Sequence, residues 1–388
     1  MIPLSEIYDK DVNFLLGSGA SYGLFPTLQL GIKNAAGKSL TLEELATSFE
    51  SSGDERLSSL FMHYYTTCIR PAQILELDEA KNTPEGKSVL DNYRTFLETI
   101  LDMLQRRKAL ERHCNLFTTN YDGCLPFVAD EIIRDGNVDF VLNDGTRGFR
   151  KKFLQAKNFN SYLCQTGVFN NHRNNIPQIN LIHLHGSVYW QKENQGIIVD
   201  YGKRNKPLLS ETVLSKLEAF SKQLTDDATQ IDDLISPKIS KAIRDKFWTE
   251  YEQIPVVNPT KWKFHETVYE EHYYQMLRML SYELEKQNAV LITFGFSFAD
   301  EHILNLVKRS LSNPHLKVFV CCFDKAAQNT IRDMFKGHRN VECLVIDNEV
   351  MDFSVFNKTI FTSKDAKSAL PTEDKPVAPV VAAGTATA

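Results

Sequence analysis

No cysteine pair of the Cys-x-x-Cys type occurs in this 388-residue chain, so the usual structural zinc modules are excluded. The seven cysteines are an odd number in a mixed-spacing set, which reads as a reduced, mostly buried group in a cytoplasmic protein. Long apolar runs are equally scarce. The richest, Ala289 to Phe298, is interrupted by Thr293, Gly295 and Ser297 and is too short to span a bilayer. The N-terminal residues carry acids where an export signal needs lysines, so no export signal is expected. Cationic excess is missing too: 44 Lys and Arg against 49 Asp and Glu leave a net charge of −5. A mildly acidic chain has no general electrostatic attraction to nucleic acid, so no direct binding of DNA or RNA is expected, although a local basic patch is compatible with that total. Internal repeats are absent.

What is present is the composition of a soluble globular protein, 43% hydrophobic and 24% charged. Continuous apolar, β-rich runs occur at Val12–Leu16, Leu116–Thr118, Val138–Leu142, Ile179–Leu184, Ala289–Phe294, Leu316–Cys322 and Val341–Ile346. Runs without alternation suit strands covered on both faces. Helical patterns lie between them. The spacing therefore predicts an α/β fold with a Rossmann-like, largely parallel sheet flanked by helices, and no zinc module. Thr41 and Glu44 fit a capping box, and Leu90, Tyr93, Leu97, Ile100, Leu101 and Leu104 keep helical spacing. Arg106, Arg107 and Lys108 follow that helix where its dipole favours cations. Glu266–Lys286 reads as a long amphipathic helix, and Lys325–Lys336 as one that ends on Gly337. Helical insertions are expected at about 39–112 and 210–252, forming a smaller subdomain within a domain of residues 1–363. Asp226, Asp227, Asp232 and Asp233 in the second insertion read as a solvated face, with a lid or partner surface as the alternative. Residues 364–388 lack periodicity and read as a disordered tail.

Four segments carry candidate chemistry. The strand ending at Leu16 runs into Gly17-Ser18-Gly19-Ala20-Ser21, a turn able to approach a pyrophosphate with the following helix N-terminus facing the anion. It departs from the dinucleotide fingerprint, because Tyr22 takes the third glycine position. Next, Thr118-Thr119-Asn120-Tyr121-Asp122 places an amide and a carboxylate at the end of a buried strand, where open α/β sheets bind ligands. Asp122 is also suited to capping the helix that begins near Gly123. In the third, His183 and His185 share one face of a strand that Gly186 ends. One reading is a His-x-His metal pair, for which no Cys-x-x-Cys, His-Glu-x-x-His or acid cluster offers the remaining ligands; the others are a catalytic histidine released toward a cleft by Gly186 and hydrogen-bonded core histidines. The fourth, Phe294-Gly295-Phe296-Ser297-Phe298-Ala299-Asp300, breaks at Gly295 and offers Ser297 or Asp300 as a helix cap.

Taken in order, these segments resemble the sirtuin-like superfamily over about Val12 to Ile346. Gly17 to Ser21 is similar to its Gly-Ala-Gly-x-Ser loop, and Thr118 to Asp122 to its Thr-Gln-Asn-x-Asp segment. His185-Gly186 looks like its catalytic His-Gly, and Gly295-x-Ser297 like its ribose-binding turn. The two cysteine pairs of the deacylase branch are missing, and Gly23 to Leu28 lacks the Asp and Arg of the corresponding deacylase loop. Phe296 to Ile303 is instead similar to the NAD-consuming effectors of bacterial anti-phage defence. The resemblance implies hydrolysis of NAD+ to ADP-ribose and nicotinamide, with NAD+ as substrate and no metal. It implies Asn120 and His185 as catalytic residues. Gly17, Ser18, Gly19, Ala20, Ser21, Thr27, Asp122, Gly295, Ser297 and Asp300 would hold the dinucleotide. It further implies a homo-oligomer and a separate sensor or activator, such as a HerA-type ATPase, with no membrane partner. An NAD-dependent protein deacylase and a non-catalytic NAD or ADP-ribose-binding module are the alternatives.

Overall fold

The computed structural model describes residues 7–34, 36–166, 173–194, 196–202, 206–258 and 267–362, so the tail expectation for 364–388 falls outside the described residues. Seven strands form one sheet: β1 (Asp11–Leu16), β2 (His113–Thr118), β3 (Val141–Asn143), β4 (Gln178–His183), β5 (Ala289–Phe294), β6 (Lys317–Cys321) and β7 (Val341–Leu344). Their spatial order is β7-β6-β5-β1-β2-β4-β3, and every neighbouring pair is parallel. All seven correspond to the apolar runs of the sequence. The fold is therefore α/β and Rossmann-like, as the sequence predicts.

The principal helices are α1 (Leu42–Ser52), α2 (Arg56–Tyr64), α3 (Pro84–Gln105), α4 (Cys124–Asp135), α5 (Glu211–Thr225), α6 (Lys241–Tyr251), α7 (Thr267–Glu285), α8 (Glu301–Ser310) and α9 (Lys325–Met334). Phe14, Leu116 and Ile292 point to one face of the sheet, where they pack with α3, α4 and the turn Phe353–Ile360. Leu15, Phe117 and Leu291 point to the other, with α7, α8 and α9. Apolar side chains on both faces explain why the strands lack alternation. No helix among the described residues is long and apolar enough to cross a membrane.

Thr41 and Glu44 cap α1 reciprocally, Glu44 N–H donating to Thr41 Oγ1 at 3.1 Å and Thr41 N–H to Glu44 Oε2 at 2.9 Å. The α2 and α6 segments, distant in sequence, meet side by side. The Phe61 ring lies 4.8 Å from that of Trp248, and Trp248 Nε1–H donates to Ser58 Oγ at 3.0 Å. His63 Nδ1 bonds Ser221 Oγ of α5 at 2.9 Å. The four aspartates between α5 and α6 are all exposed. Arg107 does not remain at the helix end in solvent. It turns inward and donates to the carbonyls of Ile7, Lys10 and His113.

One layer has no counterpart in the sequence reading. Trp190–Glu193, Gly196–Val199, Lys152–Leu154 and Thr146–Arg147 form, in that spatial order, a four-stranded antiparallel sheet. Strands of two to four residues are too short to show a period, so only their tertiary pairing reveals them.

Candidate functional site

Strand β1 lies between β2 and β5, so the chain leaves β1 at the point where successive connections run to opposite sides. In open parallel sheets this is where ligands bind, beyond the carboxyl ends of the strands. The turns after β1 and β5 are zipped together there. Gly17 N–H donates to Phe294 O at 3.0 Å, and Gly19 N–H to Gly295 O at 3.1 Å. The glycines are required by this contact. A Cβ on Gly19 would lie 2.7 Å from Gly295 Cα, and one on Gly295, at φ +64°, would lie 2.7 Å from Ala20 N. The sequence reading is corrected in one respect. Ser18–Ser21 is a single 3-10 turn, and the chain then continues through the hairpin Gln29–Lys33 and Ser39–Thr41 before α1 begins. No helix N-terminus faces an anion here, since one short turn carries little aligned dipole.

A buried polar cluster sits beside the turn. Ser21 Oγ–H donates to Asp122 Oδ2 at 2.8 Å, so Ser21 accepts from both Tyr93 OH, at 2.8 Å, and Asn120 Nδ2, at 3.1 Å. Asp122 Oδ1 accepts from Cys124 N–H at 3.0 Å, so this carboxylate satisfies the first amide of α4, whose N-cap is Gly123, as well as holding Ser21. Asn120 is fixed through its backbone too. Its N–H donates to Thr118 Oγ1 at 3.0 Å, and its carbonyl accepts from His183 Nδ1 at 3.0 Å. That bond sets the His183 tautomer, because a carbonyl only accepts. Burial lowers the pKa of His183 and keeps the ring neutral. His183 is thus the histidine that holds Asn120 in place.

His185 lies beyond the end of β4 and faces the cleft. Its Nε2 is 2.9 Å from Asp300 Oδ2, with the two side chains 16% and 7% exposed, so the pair is largely shielded from water yet reachable on the histidine side. Asp300 Oδ1 accepts from the amides of His302 at 2.9 Å and Ile303 at 3.2 Å, capping α8. The His185 carbonyl accepts from Val257 N–H at 2.9 Å, and Gly186 bridges Val256. Gly186 adopts φ +77°, and a Cβ there would fall 2.0 Å from Pro255 O. The histidine is clamped from both sides. Tyr121 OH, whose pKa burial raises, accepts from Tyr64 OH at 2.8 Å and donates to Val257 O at 3.4 Å.

The cavity so formed has a volume of about 150 Å³. Ser18, Ser21, Asn120, Asp122 and His185 line it, together with Gly295, Ser297 and Asp300. Gly17, Gly19 and Ala20 belong to the turn but are not lining residues, and Thr27 is not one either, although Pro26 and Leu28 are. Sequence reasoning missed Tyr93, Val257 and the pairing of His185 with Asp300. Tyr93 sits in the apolar stripe of α3, where its hydroxyl leaves no trace in the periodicity. Among the described residues no group of three or more His, Cys, Asp or Glu side chains is placed to hold a metal ion.

Fold and cleft together define a Rossmann-like α/β protein with a polar, histidine-bearing cavity at the switch point of its sheet. No protein-family model matches the chain, and no curated protein sequence resembles it significantly.

Proposed function

We propose that this protein is an NAD+ glycohydrolase, which cleaves the nicotinamide–ribose bond to give nicotinamide and ADP-ribose. The observation that carries the proposal is the convergence of four motifs, distant in sequence, on one cleft. Asn120, His185, the Gly17–Ser21 turn and the Gly295–Ser297 turn meet at the switch point of the sheet. Its role as an NAD-depleting effector of anti-phage defence, its homo-oligomeric state and its activation by a separate ATPase rest on the sirtuin-like resemblance.

The chemistry suits the residues. Nicotinamide departs as a neutral base, so the site has to stabilise positive charge developing on the ribose and deliver a water. Asn120, with its amide held by Ser21, positions the ribose and the water. His185 accepts the proton, a contribution of typically ~10²–10⁴-fold, and Asp300 stabilises the imidazolium that results. Ser18 meets the pyrophosphate, with Ser21 holding Asn120 and Asp122 beside it, and Gly295 and Ser297 meet the second ribose.

The test is release of nicotinamide from NAD+ by the purified chain, alongside the NAD+ content of cells that express it. Asn120→Ala and His185→Ala should each abolish both signals while the chain stays folded, because each truncation removes a polar group from a cleft and costs roughly 0–2 kcal/mol. His183→Ala should instead lower the melting temperature. Full activity in both the Asn120 and the His185 variants would refute the site.

A further inference from the structure

The net charge of −5 conceals an uneven distribution. Residues 146–154 contain Arg147, Arg150, Lys151 and Lys152 and no acid. They form the outermost hairpin of the small antiparallel sheet. Gly148, at φ +136°, makes its turn, since a Cβ there would lie 2.0 Å from Lys151 O. At the tip Phe149 is 105% exposed, and Phe153 on the following strand is 42% exposed. Two phenylalanines so placed leave apolar rings open to solvent beside a cluster of cations.

The strand register arranges this surface. Arg147 pairs across from Phe153, Phe153 from Ile198, and Ile198 from Gln191, which makes one outward row over all four strands. The alternate residues Leu154, Ile197, Val199 and Trp190 are buried beneath it. Lys151 is paired with Glu193. No carboxylate contact is found for Arg147, Arg150 or Lys152 among the described residues. None of these side chains lines the cleft, so the surface is separate from the proposed NAD+ site.

We infer that this outward row and the hairpin tip bind single-stranded nucleic acid, with Phe149 and Phe153 stacking on bases and Arg147 and Arg150 on the phosphates between them; Lys152, in register with buried Val199, belongs to the opposite face. Cations and exposed aromatic rings interleaved along the hairpin tip and its outward row match a polymer that alternates anions with flat apolar rings. A duplex hides the faces of its bases and gives the phenylalanines nothing to stack on. An acidic protein surface would satisfy the cations but has no periodic set of flat rings for both phenylalanines.

The experiment is fluorescence anisotropy of a labelled oligothymidine titrated with the full chain at several salt concentrations, with a duplex of equal length as control. Two phosphate contacts at roughly −0.7 each predict a slope of about −1.4 for log affinity against log salt. Phe149→Ala with Phe153→Ala should weaken binding about thirtyfold or more and leave that slope unchanged. Arg147→Glu with Arg150→Glu should abolish binding. All these positions are exposed, so melting temperature and nicotinamide release should stay at wild-type values. No binding at low salt overturns the inference, as does equal affinity for the duplex or indifference to the phenylalanine variants. Variants that change the sedimentation of the protein and spare oligonucleotide binding would overturn it too, by marking the face as a contact between copies.

Discussion

Each carboxylate oxygen of Asp300 has its own task. Oδ1 is occupied by the amides at the start of α8, and Oδ2 meets His185 Nε2. Because the cap fixes the side chain, the imidazole faces a carboxylate that needs no reordering when a proton arrives. Asp300→Asn retains an oxygen for the cap and removes the charge. Under the proposed chemistry, kcat for nicotinamide release should fall by up to about 10²-fold, part of the ~10²–10⁴-fold range of a general base, with KM little changed. Asp300→Ala should in addition cost the helix about 1 kcal/mol through loss of its cap, read from denaturant unfolding. Unaltered kcat in the Asn variant would show that Asp300 is a cap alone. Asn120 and His185 were legible in the sequence because each follows the end of a buried apolar run. Asp300 could be read as a cap, but its partner lies on a different strand and only folding brings the two together.

At the scale of elements, the parallel sheet carries a polar seam. Asn115 Nδ2–H donates to Asn13 Oδ1 at 2.8 Å, Asn180 Nδ2–H to Asn115 Oδ1 at 2.8 Å, and Asn143 Nδ2–H to Asn180 Oδ1 at 3.0 Å. These residues are directly in register on β1, β2, β4 and β3. A shift of any strand by one residue would leave several buried amides without partners, so the seam fixes the register that aligns the site-bearing turns. Asn115→Ala strips Asn13 of a donor and Asn180 of an acceptor. It should cost about 2–4 kcal/mol in urea unfolding, more than a surface Asn→Ala by well over twofold. The same seam explains a boundary that the sequence hid. The apolar run begins at Leu116, yet β2 begins at His113, because Asn115 finds hydrogen-bonding partners on both neighbouring strands. Polarity marked the residue as an interruption, and tertiary pairing made it part of the strand.

For the molecule as a whole, buried histidines set the response to acid. Burial lowers the pKa of His63, between α2 and α5, to about 4, and lowers that of His183 as well. The unfolded chain takes up these protons near pH 6.5, and the folded chain refuses them until the pH is lower. Protons therefore favour unfolding, and stability should fall as the pH drops from 6.5 toward 4. His63 alone accounts for roughly 3 kcal/mol across that window. Urea unfolding at stepped pH should show this slope in the wild type and a flatter one in His63→Gln. Parallel slopes would mean that the His63 ring takes up its proton equally in both states.

The sequence by itself determined the α/β class, the seven strands of the main sheet and the capped start of α1, whereas α9 stops at Met334, short of the Gly337 at which the sequence places its end. Those features follow from apolar runs, helical periods and caps, which are properties of neighbouring residues. It also determined which side chains stand beyond the strand ends. Only the tertiary structure decided what each of two histidines meets, because the strand stops at His183, and His185, which the sequence places on the same strand face, stands in the turn beyond it. Asn120 O takes the first, and Asp300 takes the second. The small antiparallel sheet was likewise decided by folding. Its strands are too short to hold together without Leu154, Ile197 and Trp190 buried in the shared core, and no local pattern encodes a pairing that such distant packing creates.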